Sequence, residues 1–490
     1  MGLRAKTISG VSWSAGAQYL TQAFQLGVTV LLMRYLPPEV FGVFAMGLVF
    51  VAFANSLKTL GLKSALIQKK DTTLLEECTV FWLLLVFGLL LSTIFASLST
   101  LAGELYSNVR AGNVLFFLSF VIFIGSIGVV PRALLEKSIK FDYIAVIDTI
   151  SNIISGVGAI LLAYFSYGVY SLVFKYITNI TLKSTLIWIF SSWRPKFKYS
   201  MSHSWGLIKY GISLTGFNIV NKTSSYSDEL IIGTLLGGQQ LGIYNRSKRL
   251  VKLPIKKVGK SISNVIFPAM STVQENDEKL TNIYLKSENL LSFIIFPIVF
   301  GLSVVAGSLV DSLLGTEWSN AIHVIQILCI VTFSHVITYP TGWIYQTKGR
   351  TDWMFWWGSG ESLLRILGIL LGAYYGSIES VAFVYGLVSI ISIYPAVAIP
   401  ASLIGLSFIE VLKSVSGNLA ASLFMAAGVY ALGLSIPAVW SSWTVLVLQV
   451  GVGVGLYWGI AHVCNLSAYG ELLEIGKERW NALRKSRVAT

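Results

Sequence analysis

Charged residues are scarce in this sequence. Lysine, arginine, aspartate and glutamate make up 12% of its 490 residues, whereas a soluble domain has about 25%. Uncharged apolar runs recur along the whole length, and at roughly 20 residues each is long enough to cross a hydrocarbon core. Alternating segments of about ten residues, which mark a transmembrane barrel, do not occur. The sequence therefore predicts an all-α polytopic membrane protein.

Cysteine and histidine are rare as well. The three cysteines are far apart, and the four histidines form no HExxH or similar cluster, which argues against a disulfide framework or a zinc site. No stretch reads GxxxxGK followed by Ser or Thr, so no nucleotide-binding loop is expected. We expect no metal site, no cofactor and no nucleic acid partner. If the protein moves a solute, the energy would come from Na⁺ or H⁺ coupling, or from downstream removal of the product.

Apolar runs and turn residues predict about 14 transmembrane helices. They are Ile8–Leu36, Val40–Leu66, Thr79–Leu101, Gly112–Leu134, Tyr143–Phe165, Gly168–Phe190, Leu207–Leu236, Leu241–Phe267, Tyr284–Leu314, Ala321–Gln346, Trp353–Tyr375, Ile378–Ile404, Val411–Leu434 and Ala438–Cys464. Lys and Arg concentrate in alternate loops, in the set that includes the N-terminus, and the opposite loops hold little beyond Arg34 and Arg110. Because such residues favour the cytoplasmic side, both termini are predicted to be cytoplasmic.

One turn occurs twice in the sequence. RYLPPEVFGVF (Arg34–Phe44) and TLLGGQQLGIY (Thr234–Tyr244) share a Leu, a helix-breaking pair, two spacers, an apolar residue, a Gly and an aromatic residue. FDY at Phe141, followed by GAILLAYF, likewise matches TDW at Thr351, followed by GILLGAYY. Two matches at similar offsets indicate two parallel six-helix repeats, although chance similarity of Gly and Pro turns is an alternative. Parallel repeats are typical of transporters with a substrate site between the halves.

This layout predicts two lobes around a central cavity, followed by a C-terminal helix pair. The segments are an N-lobe (1–190), a basic cytoplasmic linker (191–206), a C-lobe (207–404), helices 13 and 14 (405–464) and a basic cytoplasmic tail (465–490).

The eighth predicted helix, YNRSKRLVKLPIKKVGKSISNVIF, is unusually basic. At 100° per residue, Arg246, Arg249, Lys252, Lys256 and Lys260 fall on one face. Charged groups at membrane depth usually face water, and their cost favours a cavity. Lys256 and Lys260 lie where side chains can snorkel to lipid headgroups. Arg246, Arg249 and Lys252 are therefore the leading candidates to line a lumen that binds an anion.

Several further charges fall inside predicted spans. Lys222, Lys175 and Arg365 are the additional candidates for a cationic lumen, whereas Lys58 and Lys183 lie within snorkelling reach of the interface. The candidates to bind a coupling proton or sodium ion are Asp228, Glu229, Glu361 and Asp148. Two simpler roles stay open: a pair between Glu361 and Arg365 at i, i+4, and a pair between Asp228 or Glu229 and an arginine of the eighth helix.

The residue order resembles a known family. WSAGAQYL…LLMRYLPPEVFGVFAM…LGLKSALIQKKD…TVFWLLLVFGLLLS and the later DELIIGTLLGGQQLGIYNRSKRLVKLP…VIFPAMSTVQ are similar to Wzx-type lipid-linked oligosaccharide flippases of the MOP superfamily, in the colanic-acid-exporter-like branch. The resemblance covers roughly the first 280 residues well. It implies 14 helices in two six-helix lobes plus a final pair, a cation-lined cavity, and no enzymatic activity.

The resemblance also implies a substrate and a location. The expected cargo is the undecaprenyl-pyrophosphate-linked oligosaccharide repeat unit, moved from the cytoplasmic to the periplasmic leaflet of the bacterial inner membrane. Membrane lipids and a polysaccharide synthesis complex are further expected partners. The leading alternative is an ion-coupled multidrug exporter of the same superfamily, which the basic eighth helix disfavours. A polymerase or ligase would need a sizeable outer loop, and none is predicted.

Overall fold

The computed structural model describes residues 20–437 and 439–474, except for the side chains of residues 210, 212–214 and 216–225. All regular structure in these ranges is helical. Nine of the described helices are long and apolar enough to cross a membrane. The beginning of the first predicted helix, Ala438 and most of the predicted basic tail lie outside the described residues.

The chain forms two compact units, and the boundary between them in the sequence falls between Ile243 and Tyr244. The helices of the first unit are α1 (20–35), α2 (Pro38–Lys58), α3 (Leu62–Gln68), α4 (Leu74–Ser97), α5 (Ser99–Leu105), α6 (Val109–Ile127), α7 (Val129–Lys137), α8 (Phe141–Tyr164), α9 (Val169–Phe190) and most of α10 (Met201–Pro254). Within this unit α6 packs against α2, α4 and α9.

The second unit continues from the end of α10. Its elements are a π-helical segment (Ile255–Gly259), α11 (Lys260–Thr272), α12 (Asp277–Leu309), α13 (Ala321–Thr338), α14 (Thr341–Thr347), α15 (Thr351–Tyr374), α16 (Ile378–Ala401), α17 (Phe408–Ser435) and α18 (Ser442–Val463). Helix α12 packs against α13, α17 and α18, so it lies at the centre of this unit.

The observed helix ends differ from the predicted ones where the backbone breaks locally. The predicted second helix, Val40–Leu66, is divided into α2 and α3 because Leu60 and Gly61 both have a positive φ, of 44° and 63°. Gly237, with φ 81° and ψ −177°, interrupts α10 at the predicted turn between the seventh and eighth helices. Only glycine adopts that backbone conformation without strain.

Glycines bring α2 and α10 into backbone contact inside the first unit. A methyl group on Gly42 would overlap the carbonyl group of Gly238, and a methyl group on Gly242 would overlap the carbonyl group of Pro38. Positions 38 and 42 correspond to positions 238 and 242 in the repeated turn. The contact is therefore reciprocal, as it would be across a two-fold axis.

A second glycine contact joins the break between α2 and α3 to α10. Gly61 packs against the backbone of Gly211, and Gly211 packs in turn against the carbonyl group of Leu60. With α10 held at both places, residues up to Ile243 belong to the first compact unit. The predicted lobes (1–190 and 207–404) are defined by an internal sequence repeat, whereas the two units are defined by how compactly their residues pack. The division into lobes therefore stays a prediction.

Polar groups attach the C-terminal helix pair to α12. The amide nitrogen of Asn418 in α17 donates to the backbone carbonyl of Asn289 (2.9 Å) and to the hydroxyl of Ser292 (2.9 Å). In α18 the hydroxyl of Tyr457 donates to the carbonyl of Phe293 at 2.8 Å. Such hydrogen bonds are retained between apolar helices because a buried donor without a partner is costly.

We predict that Gly42→Ala destabilises the protein, because the added methyl group has no space beside the Gly238 carbonyl. Overpacking of this kind costs about 1–3 kcal/mol. Thermal melting of the purified, detergent-solubilised protein measures the effect. Gly27→Ala in α1 is the matched control, since nothing lies within 4 Å of a methyl group there. Equal melting of both variants would contradict the close approach of α2 and α10.

Candidate functional site

Part of the basic stripe lies against aromatic surface in the second unit. Lys252 of α10 is half-buried, and its Nζ lies 5.9 Å from the ring centre of Tyr385 in α16. The Nζ of Lys248, one turn earlier, lies 5.6 Å from the ring centre of buried Tyr244. A cation within about 6 Å of an aromatic face is attracted by the ring quadrupole. These contacts hold two ammonium groups against aromatic rings.

Further basic residues lie around His335, which contacts the same ring. His335 of α13 packs edge-on against Tyr385, with ring centroids 6.4 Å apart. Lys248, Lys252 and Arg365 of α15 all act electrostatically on His335. We call Lys248, Lys252, His335 and Arg365 the basic cluster. Helices α10, α13, α15 and α16 thus bring together two predicted lumen residues, Lys252 and Arg365, with residues that were not predicted.

The remaining predicted lumen cations lie outside the basic cluster as described. Arg246 is half-buried in the second unit, whereas Arg249 is exposed. Lys175 of α9 is half-buried in the first unit. Lys222 belongs to α10, but its side chain lies outside the described residues. The assignment of these four residues to a lumen stays a prediction.

The π segment alters the predicted face of the basic helix. Hydrogen bonds of the i→i+5 type in Ile255–Gly259 add residues to one turn, so positions beyond it no longer follow a spacing of 100°. Pro254 precedes the segment and lacks a backbone N–H, which favours such a break. Lys256 and Lys260 are exposed, as expected of snorkelling side chains, and they do not continue one unbroken stripe with Lys252.

Ion pairs surround Asp148 of α8 in the first unit. Its carboxylate lies 3.1 Å from Nη2 of Arg132 and 3.2 Å from Nζ of Lys183. Arg132 also reaches Oε1 of Glu136 at 3.1 Å, and Lys63 reaches the same oxygen at 2.8 Å. Asp148 and Lys183 are therefore parts of a network that joins α3, α7, α8 and α9. A coupling role for Asp148 stays a prediction, and the geometry gives it a structural one.

The other acidic candidates are buried to different degrees. Asp228 and Glu229 of α10 are both buried, and the backbone N–H of Glu229 donates to Oδ1 of Asp228 at 3.0 Å. Glu229 also acts electrostatically on the buried Tyr106. Glu361 of α15 is half-buried and forms no ion pair among the described residues, so the predicted pair with Arg365 is absent there. Asp228 and Glu229 keep their place as coupling candidates.

Sequence reasoning missed Glu288 of α12. Its side chain is 0% exposed, and neither carboxyl oxygen has a hydrogen-bond partner in the described part of the chain. Tyr284, one turn earlier, is equally buried. The signal was present, because Glu288 lies inside the predicted span Tyr284–Leu314. An ionisable residue buried in a membrane span is by default a candidate for ion or proton binding.

Comparisons with known proteins give the family. The pattern of the family described as polysaccharide biosynthesis protein matches residues 31–323. The chain belongs to this family. Lipopolysaccharide biosynthesis protein WzxC of Escherichia coli (strain K12) is 28% identical over 394 residues, which cover 80% of each chain. Succinoglycan biosynthesis transport protein ExoT of Rhizobium meliloti (strain 1021) is 26% identical over 384 residues, covering 77% of this chain and 76% of that protein.

Solved structures share the fold of this member of the polysaccharide biosynthesis protein family. Lipid II flippase MurJ, in an inward closed conformation, matches with a TM-score of 0.73 and 15% identity over 94% of this chain and 99% of that one. An inward-facing multidrug resistance MATE family transporter of the MOP superfamily has a TM-score of 0.61 and 15% identity, over 78% and 96%. The chain is thus an all-helical membrane protein with a transporter fold.

We predict that Asp148→Asn lowers the stability of this family member. The change leaves Arg132 and Lys183 without their shared carboxylate, which costs about 1–3 kcal/mol, between the values for exposed and buried pairs. Thermal melting of the purified protein measures the loss. Asp352→Asn is the control, because Asp352 pairs with Arg350 at an exposed position and should melt like the wild type.

Melting and transport measured on the same Asp148→Asn variant distinguish a structural role of Asp148 from a role in ion coupling. If Asp148→Asn melted like the wild type and yet lost transport, the network would not be its role, and the coupling interpretation would gain instead.

Proposed function

We propose that this chain is a flippase that moves undecaprenyl-pyrophosphate-linked oligosaccharide repeat units from the cytoplasmic to the outer leaflet, for polysaccharide export. The observation that carries the proposal is the family match over residues 31–323. Relatives named for lipopolysaccharide and succinoglycan biosynthesis support it. No covalent chemistry is required, because such a step only transfers the headgroup across the bilayer. The proposed location is the bacterial inner membrane with both termini in the cytoplasm.

The basic cluster is the proposed contact for the substrate's phosphate groups. Lys252 and Arg365 lie around one imidazole in a helical unit, where charge is costly unless it has a function. Arginine binds phosphate oxygens through two parallel N–H groups, and lysine supplies a mobile point charge. Tyr385 lies beside Lys252, so it can hold this ammonium group in position while the pyrophosphate passes.

A repeated architecture supports a mechanism of alternating access. We infer that the chain crosses the membrane about 14 times, as two parallel six-helix repeats and a final pair. The reciprocal contact of Gly42 and Gly242 supports equivalent positions in two related halves. In transporters with repeats of this kind, one half rocks against the other around the substrate site.

A gradient of protons or sodium ions is the proposed source of energy. Asp228, Glu229 and Glu361 are candidates from the sequence, and Glu288 joins them through its complete burial. Coupling needs a carboxyl group whose occupancy differs between the two states of the transporter. Glu288, whose carboxyl oxygens have no hydrogen-bond partner in the described part of the chain, meets that requirement more readily than Asp148, which two cations hold.

An ion-coupled multidrug exporter is the alternative, since a MATE family transporter has a similar fold. The sign of the charge disfavours it. Such exporters favour cationic drugs, and the basic cluster would repel them. The relatives named above are also biosynthesis proteins rather than drug exporters.

The proposal predicts that deletion of the gene stops surface polysaccharide and raises the inner-leaflet pool of lipid-linked repeat units. The physical reason is that synthesis continues on the cytoplasmic side while the headgroup cannot cross hydrocarbon. Surface polymer and undecaprenyl-pyrophosphate-linked oligosaccharide are measured in the same deletion strain, with the complemented strain as control. Intact polymer together with increased sensitivity to cationic drugs would overturn the proposal in favour of the exporter.

A second prediction concerns Lys252→Gln and Arg365→Gln in the complemented deletion strain. Each should lower export about tenfold or more at unchanged membrane abundance, because a hydrogen bond to a charged group contributes about 1.5–3 kcal/mol. Lys257→Gln is the matched control, since Lys257 is exposed and outside the basic cluster. Lys252→Arg should retain most export because it keeps the charge. Normal export by both Gln variants would exclude the basic cluster as the phosphate contact.

A further inference from the structure

An apolar groove runs along the exposed side of α4 in the first unit. Its volume is about 610 Å³, and residues 197–199 line it together with α4. Val86 and Leu90 in the wall are 63% and 50% exposed, although α4 is one of the helices suited to span a membrane. The volume lies in the range of about 300–1,000 Å³ that suits a small organic ligand. The groove therefore presents an apolar channel to the surrounding lipid.

Hydrogen bonds fix the 191–200 segment to the beginning of α4. The backbone N–H of Lys196 donates to Sγ of Cys78 at 3.3 Å, and that of Ser200 donates to Oγ1 of Thr79 at 3.0 Å. In return, the indole N–H of Trp82 donates to the backbone carbonyl of Lys196 at 2.9 Å. The segment has no regular structure, yet hydrogen bonds to two successive turns of α4 hold it across the helix.

An aromatic pair lines part of the groove. Phe197 is 94% exposed and stacks on the indole of Trp82, with ring centroids 4.9 Å apart and an interplanar angle of 19°. A phenyl ring exposed to water loses the free energy that burial in an apolar medium would provide. Aromatic residues concentrate where a protein crosses the membrane–water interface. A pair of this kind suits the level at which α4 would enter such an interface.

The charges of the segment have one sign. SSWRPKFKYS carries Arg194, Lys196 and Lys198 and no acidic residue. Arg194 is occupied, because Nη1 donates to the backbone carbonyls of Ser191 and Trp193. Lys196 and Lys198 are exposed and form no ion pair among the described residues. Two ammonium groups therefore flank Phe197 beside the apolar groove.

Nearby acidic groups do not neutralise these lysines. The carboxylate of Glu76 in the first turn of α4 is buried and pairs with Lys69 at 2.5 Å. Glu77 accepts a hydrogen bond from the hydroxyl of Thr72 at 2.7 Å. The combination of an apolar channel, an interfacial aromatic pair and unneutralised lysines is complementary to a lipid with an anionic headgroup.

We infer that this groove is a binding site for an anionic phospholipid of the surrounding bilayer, with phosphatidylglycerol as the representative class. The headgroup phosphate lies between Lys196 and Lys198, and one acyl chain follows Val86 and Leu90 along α4. Lysines at a membrane surface attract anionic lipid, each by about fivefold in affinity. The bound lipid would fix the segment between α9 and α10 at the interface. This role does not depend on which molecule the protein transports.

The test places the photoreactive residue p-benzoylphenylalanine at Val86 of the full-length protein. The protein is reconstituted into vesicles of equimolar dioleoyl phosphatidylglycerol and dioleoyl phosphatidylcholine, illuminated, and analysed by mass spectrometry of the crosslinked lipid. We expect phosphatidylglycerol to be several-fold in excess at this position. The same residue at Val447 of α18, which is 68% exposed on an apolar face, is the control and should report the bulk ratio.

Charge variants of the segment complete the test. Lys196→Gln with Lys198→Gln should return crosslinking to the bulk ratio, because the two lysines together supply at most about 25-fold in relative affinity. The Lys→Arg pair should preserve the excess, and thermal melting confirms that both variants are folded. A bulk ratio at Val86 in the unaltered segment, or an excess that survives the Gln pair, would overturn the inference. Protein purified from its native membrane with polyprenyl pyrophosphate crosslinked in preference to phospholipid would also overturn it, since the groove would then hold substrate.

Discussion

The cost of placing charge in a medium of low polarity governs where charged side chains lie in this protein. The protein lowers that cost in three ways, each at a different site. Asp148 is paired with cations on two neighbouring helices. Lys252 lies over the ring of Tyr385. The lysines of the 191–200 segment stay exposed next to aromatic residues. A charge held in an ion pair, such as that of Asp148, therefore has a structural role. Charges held by an aromatic ring or left exposed remain able to bind an anionic ligand.

Close backbone approach is the second constraint, and it falls on glycine. At Gly42 and Gly242 any larger side chain would enter a neighbouring backbone carbonyl. Helices in lipid gain little from apolar association alone, so close contact through small residues supplies much of their packing energy. The repeated turn has this use: the same glycine position occurs in both copies, and each copy contacts the other. The sequence similarity between the two turns thus corresponds to a reciprocal contact between them in the structure.

The sequence predicted the class of protein and most helix positions, because apolar length and turn residues are local properties. It could not predict partners that depend on how helices pack. Asp148 read as an isolated charge because Arg132 and Lys183 are 16 and 35 positions away in the chain. His335 and Tyr385 gave no pattern that linked them to Lys252. The π segment was missed because a spacing of 100° assumes an uninterrupted α-helix, although Pro254 marked the place where that assumption fails.

Fold similarity alone does not decide what passes through such a protein, since the flippase MurJ and a MATE family transporter both share its architecture. The sign of the charge in the site distinguishes an anionic substrate from a cationic one. In a site of low polarity, cations around His335 stabilise an anion and oppose a cation by similar amounts. A phosphate-bearing lipid headgroup therefore suits the basic cluster, and a cationic drug does not. The same reasoning separates the basic cluster from the α4 groove. The basic cluster lies among α10, α13, α15 and α16, where we propose that it contacts the headgroup in transit. The groove is open along an apolar helix face, where a resident lipid can remain.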